Sequence, residues 1–177
     1  MRLYLLTIIL VHSMQLVNGQ SKDYEGFNPN EQLAEKTFFD KMTLLIPTNY
    51  SKTGNEAAGD KFDIVSIENS NETVWFYIRK KSGENNLDIV KDVHESMASS
   101  FYKGEIHKSE FKTINNRKVY VFEMTGYWNG STTKESWVKF FTVDNNNLYQ
   151  CLIKFPEKDR ILTQNIRDKI IESLKLD

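Results

Sequence analysis

The chain has 177 residues, with 23 Lys and Arg against 24 Asp and Glu, 12% aromatic residues and one cysteine. A charge balance this even excludes non-specific nucleic-acid binding, which needs a basic surplus. A lone thiol excludes an internal disulfide, a paired-thiol zinc site and a dithiol redox motif, so stability must come from packing.

Residues 1–19 have the three-part layout of a secretory signal peptide: Arg2, an apolar run from Leu3 to Val11, and a more polar end closing on Val17-Asn18-Gly19. The apolar run is too short for a span of about 20 residues, so cleavage before Gln20 is expected rather than an anchor, leaving no transmembrane segment. No cysteine near that point offers a site for a lipid anchor. The remaining 158 residues carry 22 basic against 24 acidic side chains, a net charge of −2, and amount to one domain with room for a core.

Residues 20–30 are polar, with Gly26, Pro29 and Asn30, and read as a flexible leader. The single domain then runs over 31–177. Residues 31–36 begin a short helix, 38–47 read as a strand ending at Pro47, and 51–61, with Gly54, Asn55, Gly59 and Asp60, as a loop. Strands at 62–68 and 73–80 flank an Asn69-Ser70-Asn71 turn. In the second, Val74, Phe76 and Ile78 alternate with Trp75, Tyr77 and Arg79, so both faces are largely apolar, as in a central strand covered on two sides. Asn86 caps an amphipathic helix over 87–102, on which Leu87, Val90, His94, Met97, Ala98 and Phe101 recur at spacings of three and four. Gly104 suits its left-handed cap.

A strand at 106–114 turns at Asn115-Asn116 into three more. The first, 118–128, places Tyr120, Phe122, Met124 and Trp128 on one face and Glu123 and Thr125 on the other. Asn129-Gly130 favours a tight hairpin, and Ser131-Thr132-Thr133 leaves its type open. The second, 136–143, has Trp137, Lys139, Phe141 and Val143 against Val138 and Phe140. After Asp144-Asn145-Asn146-Asn147, the third, 148–155, has Tyr149, Cys151, Ile153 and Phe155 against Gln150 and Lys154. Turns this short make antiparallel neighbours. Beyond Pro156 a helix is expected from about 158 to 174, with Leu162, Ile166, Ile170 and Leu174 as its stripe and Ile161 and Ile171 beside it. The fold class is therefore α+β: an antiparallel sheet of six to seven strands packed with helices.

The strand-then-proline opening Leu44-Leu45-Ile46-Pro47-Thr48-Asn49-Tyr50, the order strands, helix, four-strand run and helix, and the ending Ile170-Ile171-Glu172-Ser173-Leu174-Lys175-Leu176 resemble the PsbP-like superfamily over residues 38–176. That group includes the photosystem II extrinsic protein, the Ran-binding import factors and the exported bacterial DcrB-like proteins, the last nearest on account of the signal segment. The resemblance implies a PsbP-like α/β sandwich, and binding or assembly work rather than catalysis. No functional residue carries over, because there is no site motif to match.

The residues that invite chemistry have plainer explanations. His12 leaves with the signal segment. His94 and His107 lack a carboxylate at metal-ligand spacing and read as partly buried structural histidines; no metal and no cofactor is expected. Cys151 is a candidate nucleophile, but it lies mid-strand on a core face, where a thiol is inert. No Gly-x-Ser-x-Gly elbow or phosphate-binding glycine loop exists. Glu123 reads as a solvent-facing strand residue paired with a lysine such as Lys139, and Arg79-Lys80-Lys81 as a solvated strand end. Asn49, Asn71 and Asn129 fit the glycosylation pattern, which matters only in a eukaryotic source. Tyr127, Trp128 and Trp137 flank the loop 129–135 and are the candidate binding residues.

These readings point to an exported, non-enzymatic binding or assembly protein of the cell envelope with a protein partner. The alternatives are a hydrolase using carboxylates near Trp128 and Trp137, and a carrier of a small ligand or lipid between the sheet and the helix over 87–102.

Overall fold

Two Asn-Asn pairs set the tightest hairpins. Asn115 and Asn116, and Asn145 and Asn146, all take positive φ between 47° and 62°, the backbone that two-residue turns of twisted hairpins require and that Asn tolerates. In the computed structural model, which describes residues 26–57, 62–128 and 131–177, these turns organise a seven-stranded antiparallel sheet. Its strands are β3 (Ser51–Ala57), β4 (Phe62–Glu68), β5 (Trp75–Ser82), β6 (Tyr102–Ile114), β7 (Arg117–Tyr127), β8 (Glu135–Asp144) and β9 (Asn147–Pro156), in the order β3-β4-β5-β9-β8-β7-β6. A second sheet joins β1 (Leu33–Phe38), β2 (Met42–Pro47) and β10 (Lys175–Leu176), with β2 central. The helices are α1 (Leu87–Ala98) and α2 (Gln164–Glu172). The fold is α+β, as the pattern predicts. The expected signal segment and the Asn129-Gly130 turn lie outside the described residues.

Alternation sorts the large sheet into two faces. On one, Val119, Val121, Val138, Phe140, Cys151, Ile153, Phe155, Phe76 and Ile78 form the main core with Met42, Leu44 and Ile46 of β2 and Ile166, Ile170 and Ile171 of α2. On the other, Tyr120, Phe122, Met124, Trp137, Phe141 and Leu148 pack under Leu87, Val90, Ala98 and Phe101. Each large side chain so buried contributes about 1.5–3 kcal/mol. The molecule thus has three layers. The α1 layer is narrow, packing mainly on β6, β7 and β8.

Several expected elements change identity. In place of the expected helix at 31–36, residues 33–36 belong to β1, and the single strand 38–47 is a hairpin: Phe39 and Asp40 both take positive φ and reverse the chain between β1 and β2. The expected loop 51–61 contains β3, an edge strand whose register shifts between Lys52 and Gly54. The leader is not loose where it is described. Phe27 is fully buried, edge-on to Phe76 and Phe155 at 6.2 and 5.5 Å, and its backbone N–H donates to Asp159 Oδ2 (3.1 Å). Helix α1 stops at Ala98, and the left-handed residue after it is Lys103, not Gly104. At the C-terminus a 3₁₀ turn, Glu157–Asp159, precedes α2, so Leu162 is 61% exposed and Ile161 projects outward too. The buried stripe begins only at Ile166.

Candidate functional site

The aromatic end is built by α1 and the hairpin β7–β8. Gly104 and Gly126 allow a close approach there: a Cβ on Gly104 would stand 2.3 Å from the Ala98 carbonyl oxygen, and one on Gly126 3.1 Å from Phe101 Cβ. Phe101 therefore sits down on the sheet, its ring centroid 4.7 Å from Trp137 and 4.9 Å from Trp128. Trp137 is buried, while Trp128 is 52% exposed. Tyr127 is not part of this cluster. It stands across from Tyr102 in the β6–β7 register, ring centroids 5.8 Å apart. Of the three expected residues, the structure joins Trp128 and Trp137 through Phe101 and sets Tyr127 beside exposed Tyr102. The carboxylate nearest in strand position to Trp137 on its own face, Glu135, is 2.9 Å from Lys154 Nζ.

Glu123 does not face solvent, and Lys139 is not its partner. The register sets Glu123 opposite Val138 and Phe122 opposite Lys139, so the two lie on opposite faces. Glu123 is buried at the α2 end of the main core, its Oε1 3.1 Å from Arg167 Nη1 and 3.7 Å from Arg160 Nη1. Arg167 is itself buried; it donates to Thr163 Oγ1 (3.2 Å) and to the Arg160 carbonyl (2.6 Å), and its guanidinium lies 5.2 Å from the centre of the Phe155 ring. A carboxylate clamped this way is an anchor for the turn into α2. Nearby, His107 Nε2 is 2.8 Å from buried Thr125 Oγ1. Burial and Arg160 push the imidazole pKa down, with Glu105 and Glu123 pulling it back. Neither histidine meets the other: His94 lies under α1, on the far face of the sheet.

That far face holds a polar cluster the sequence reading did not single out. Three rows cross β5, β9 and β8: Trp75–Lys154–Trp137, Tyr77–Leu152–Lys139 and Arg79–Gln150–Phe141. The imidazole of His94 packs 4.7 Å from the Phe141 ring, and its Nδ1 is 3.3 Å from Lys139 Nζ. Lys139 is 8% exposed. Burial, then the neighbouring Arg79, push the Lys139 ammonium down to about 8. Burial, Lys139 and Arg79 push His94 down to about 3, so at neutral pH it is an uncharged acceptor for Lys139. Arg79 lies in a central strand and is half-buried, contrary to the solvated strand end expected. The signal was present in Trp137-Val138-Lys139-Phe140-Phe141: an ionisable residue in an otherwise apolar strand demands a reason. Cys151 is fully buried on the main-core face and burial pushes its thiol up, as expected of an inert cysteine. Among the described residues no group of three or more His, Cys, Asp and Glu is placed to hold a metal ion, and no helix is long and apolar enough to cross a membrane.

No family model matches the chain, and no curated protein matches its sequence. Solved structures do. The PsbP protein of the cyanobacterium Synechocystis sp. PCC 6803 (CyanoP) superposes with a TM-score of 0.61 at 11% identity, over 91% of this chain and 99% of that one. LpqN of Mycobacterium tuberculosis, described as involved in cell envelope biogenesis, superposes with a TM-score of 0.53 at 7% identity, over 85% and 88%. At such identities the likeness concerns the backbone alone: the chain has the PsbP-like α+β sandwich fold.

Proposed function

We propose that this is an exported, non-catalytic binding or assembly protein of the cell envelope that docks a protein partner at its aromatic end. The observation that carries the reading is Trp128, half exposed yet seated on the buried Phe101–Trp137 pair, with exposed Tyr102 beside Tyr127 a few residues away. Rigid aromatics anchored to a core but open to solvent are the residues that dominate protein interfaces. The signal-like segment at 1–19 and the envelope role stated for LpqN support the compartment.

The test has two parts. Fractionation of the native source should place the protein outside the cytoplasm with its mature N-terminus at Gln20. Affinity capture from envelope extract should return one defined partner with the wild-type chain and lose it with Trp128→Ala, whose fold is checked by circular dichroism. A cytoplasmic, unprocessed protein would overturn the compartment. Undiminished capture by Trp128→Ala, or hydrolytic turnover abolished by Glu135→Gln, would overturn the function.

A further inference from the structure

β6 closes one side of the seven-stranded sheet, and among the described residues nothing pairs with its outer side. Its register against β7 shifts twice, between Tyr102 and Glu105 and between Ile106 and Lys108, and then runs unbroken from Lys108 to Ile114. The opposite edge, β3, is interrupted between Lys52 and Gly54. Bulges and irregularities keep a sheet edge from joining another edge. The stretch 108–114 has none.

The hairpin at Asn115-Asn116 decides which backbone groups of that stretch are free. Across a two-residue turn of this kind the flanking residues, Ile114 and Arg117, exchange both of their hydrogen bonds. Alternation then turns the N–H and C=O groups of Lys112, Glu110 and Lys108 toward β7, and those of Thr113, Phe111 and Ser109 outward. Among the described residues none of these outward groups has a backbone partner. The side chains alternate as well. Glu110 and Lys112 lie opposite Val121 and Val119 on the main-core side of the sheet, 3.4 Å from each other, with side chains 45 and 38% exposed. Phe111, on the α1 side, is 37% exposed; its ring rests 5.4 Å from Tyr120 and under Lys118 Nζ.

We propose that the chain forms a two-fold symmetric dimer through β6, in which residues 108–114 pair antiparallel with the same residues of a second copy about an axis at Phe111. In that register Ser109, Phe111 and Thr113 face Thr113, Phe111 and Ser109 of the second copy, and their free backbone groups make about six hydrogen bonds. Glu110 stands opposite Lys112 of the second copy, and Lys112 opposite its Glu110. Both are the closer, non-hydrogen-bonded kind of pair, where opposite charges attract and like charges repel most. Charge therefore selects the register. An axis at residue 110 sets Glu110 against Glu110, and an axis at 112 sets Lys112 against Lys112. An axis at 109 runs into the shift between Ile106 and Lys108. Lys108 comes opposite Ile114 of the second copy and keeps its own acid, Asp168 of α2, at 3.9 Å. The dimer joins two seven-stranded sheets into one. Tyr102 lies at the other end of β6, so the two aromatic ends stay open and far apart, and the dimer does not rest on what docks there.

The test is sedimentation equilibrium of the purified full chain, which should show a monomer and a dimer in concentration-dependent exchange. Glu110→Lys alone and Lys112→Glu alone should each weaken the dimer by about tenfold or more, because each sets like charges opposite one another at two places. Mixed together, the two variants should associate with each other about as tightly as the wild type does with itself, and the double exchange in one chain should restore the homodimer. Both positions are on the surface, and circular dichroism checks that each variant is folded. Amide hydrogen exchange at Ser109, Phe111 and Thr113 should slow as concentration rises. A chain that stays monomeric, a dimer that either single change leaves intact, or single variants that fail to associate when mixed would overturn the proposal. So would amides protected equally at every dilution, since the edge would then be covered by a segment of the same chain.

Discussion

Replacing Lys139 by methionine should make the protein more stable, and the size of the gain follows from the cluster around it. The ammonium is displaced from 10.5 to about 8 by burial and by Arg79. At about 1.4 kcal/mol per pH unit this corresponds to roughly 3 kcal/mol of native-state destabilisation at pH 7, where Lys139 is charged in both the folded and the unfolded chain. Methionine keeps an unbranched stem of similar length and removes the charge. It also removes the donor to His94 Nδ1, 3.3 Å away, at a cost of about 1 kcal/mol. The net expectation is a gain of about 2 kcal/mol.

The sign can be checked by pH. A lysine whose folded pKa is depressed burdens the native state fully below the folded value, about 8, and the burden fades as pH rises toward the unfolded value. At pH 10 it falls below about 1 kcal/mol. Urea denaturation of both proteins at pH 7 and pH 10 reads this directly, provided the slopes agree. A lower midpoint for Lys139→Met at pH 7, or an equal difference at the two pH values, would refute the reasoning. It would mean that the ammonium is compensated in a way the described residues do not show.

Other expectations follow from the same structure. Phe27→Ala should cost about 3–5 kcal/mol, because it empties a fully buried site between Phe76 and Phe155; a thermal melt shifted as for an exposed residue would mean the segment before β1 is not docked. Arg167→Met should cost about 3–5 kcal/mol by stranding buried Glu123, and the double change with Glu123→Leu should recover much of it, measured as a double-mutant cycle. For His94 the folded value is depressed to about 3, so its contribution is intact above pH 6.5 and is lost as pH falls toward 3, while the unfolded chain takes up the proton. His94→Gln should flatten the stability–pH slope by up to one proton across that interval. The Cys151 thiol should ignore a disulfide reagent in the native protein and react stoichiometrically in urea, since burial both raises its pKa and blocks access.

How far the sequence could be read depended on whether the deciding interaction was local. The Asn pairs at 115–116 and 145–146 carry their turn preference in their own side chains, and the alternation they bracket fixes which residues of β7, β8 and β9 face the main core. Phe39 shows the opposite case. Nothing in a phenylalanine announces positive φ, and the reversal there is imposed by the pairing of β1 with β2, so the residue pattern predicts one strand where the chain forms a hairpin. β3 is polar because it is an edge strand, and polarity without periodicity reads as loop. Leu162 extends the helical stripe in sequence but falls in the turn before α2, where Thr163 Oγ1 donates to the Asp159 carbonyl (2.8 Å) instead of continuing a helix.

At the candidate sites, Trp128 and Trp137 were legible as a pair because they flank one hairpin, whereas the clamp on Glu123 was not. Its partners, Arg160 and Arg167, are more than thirty residues away. The Lys139 cluster was equally hidden, since it draws one side chain each from β5, α1, β8 and β9.

β5 links these observations. Its sequence alternates apolar with apolar, the pattern of a strand covered on both sides. On the main-core face Val74, just before the strand, and Phe76 and Ile78 within it are buried under the second sheet and the docked Phe27. On the other face Trp75 and Tyr77 are only half covered, because α1 packs over β6, β7 and β8. Moving α1 one strand over would cover them but expose Phe122 and Tyr120, which are fully buried now, so the helix position is the better packing choice for this chain alone. The strip left open is therefore a consequence of a sheet wider than one helix can roof. Lys139 is held at the inner border of that strip, where burial makes its charge a cost to stability.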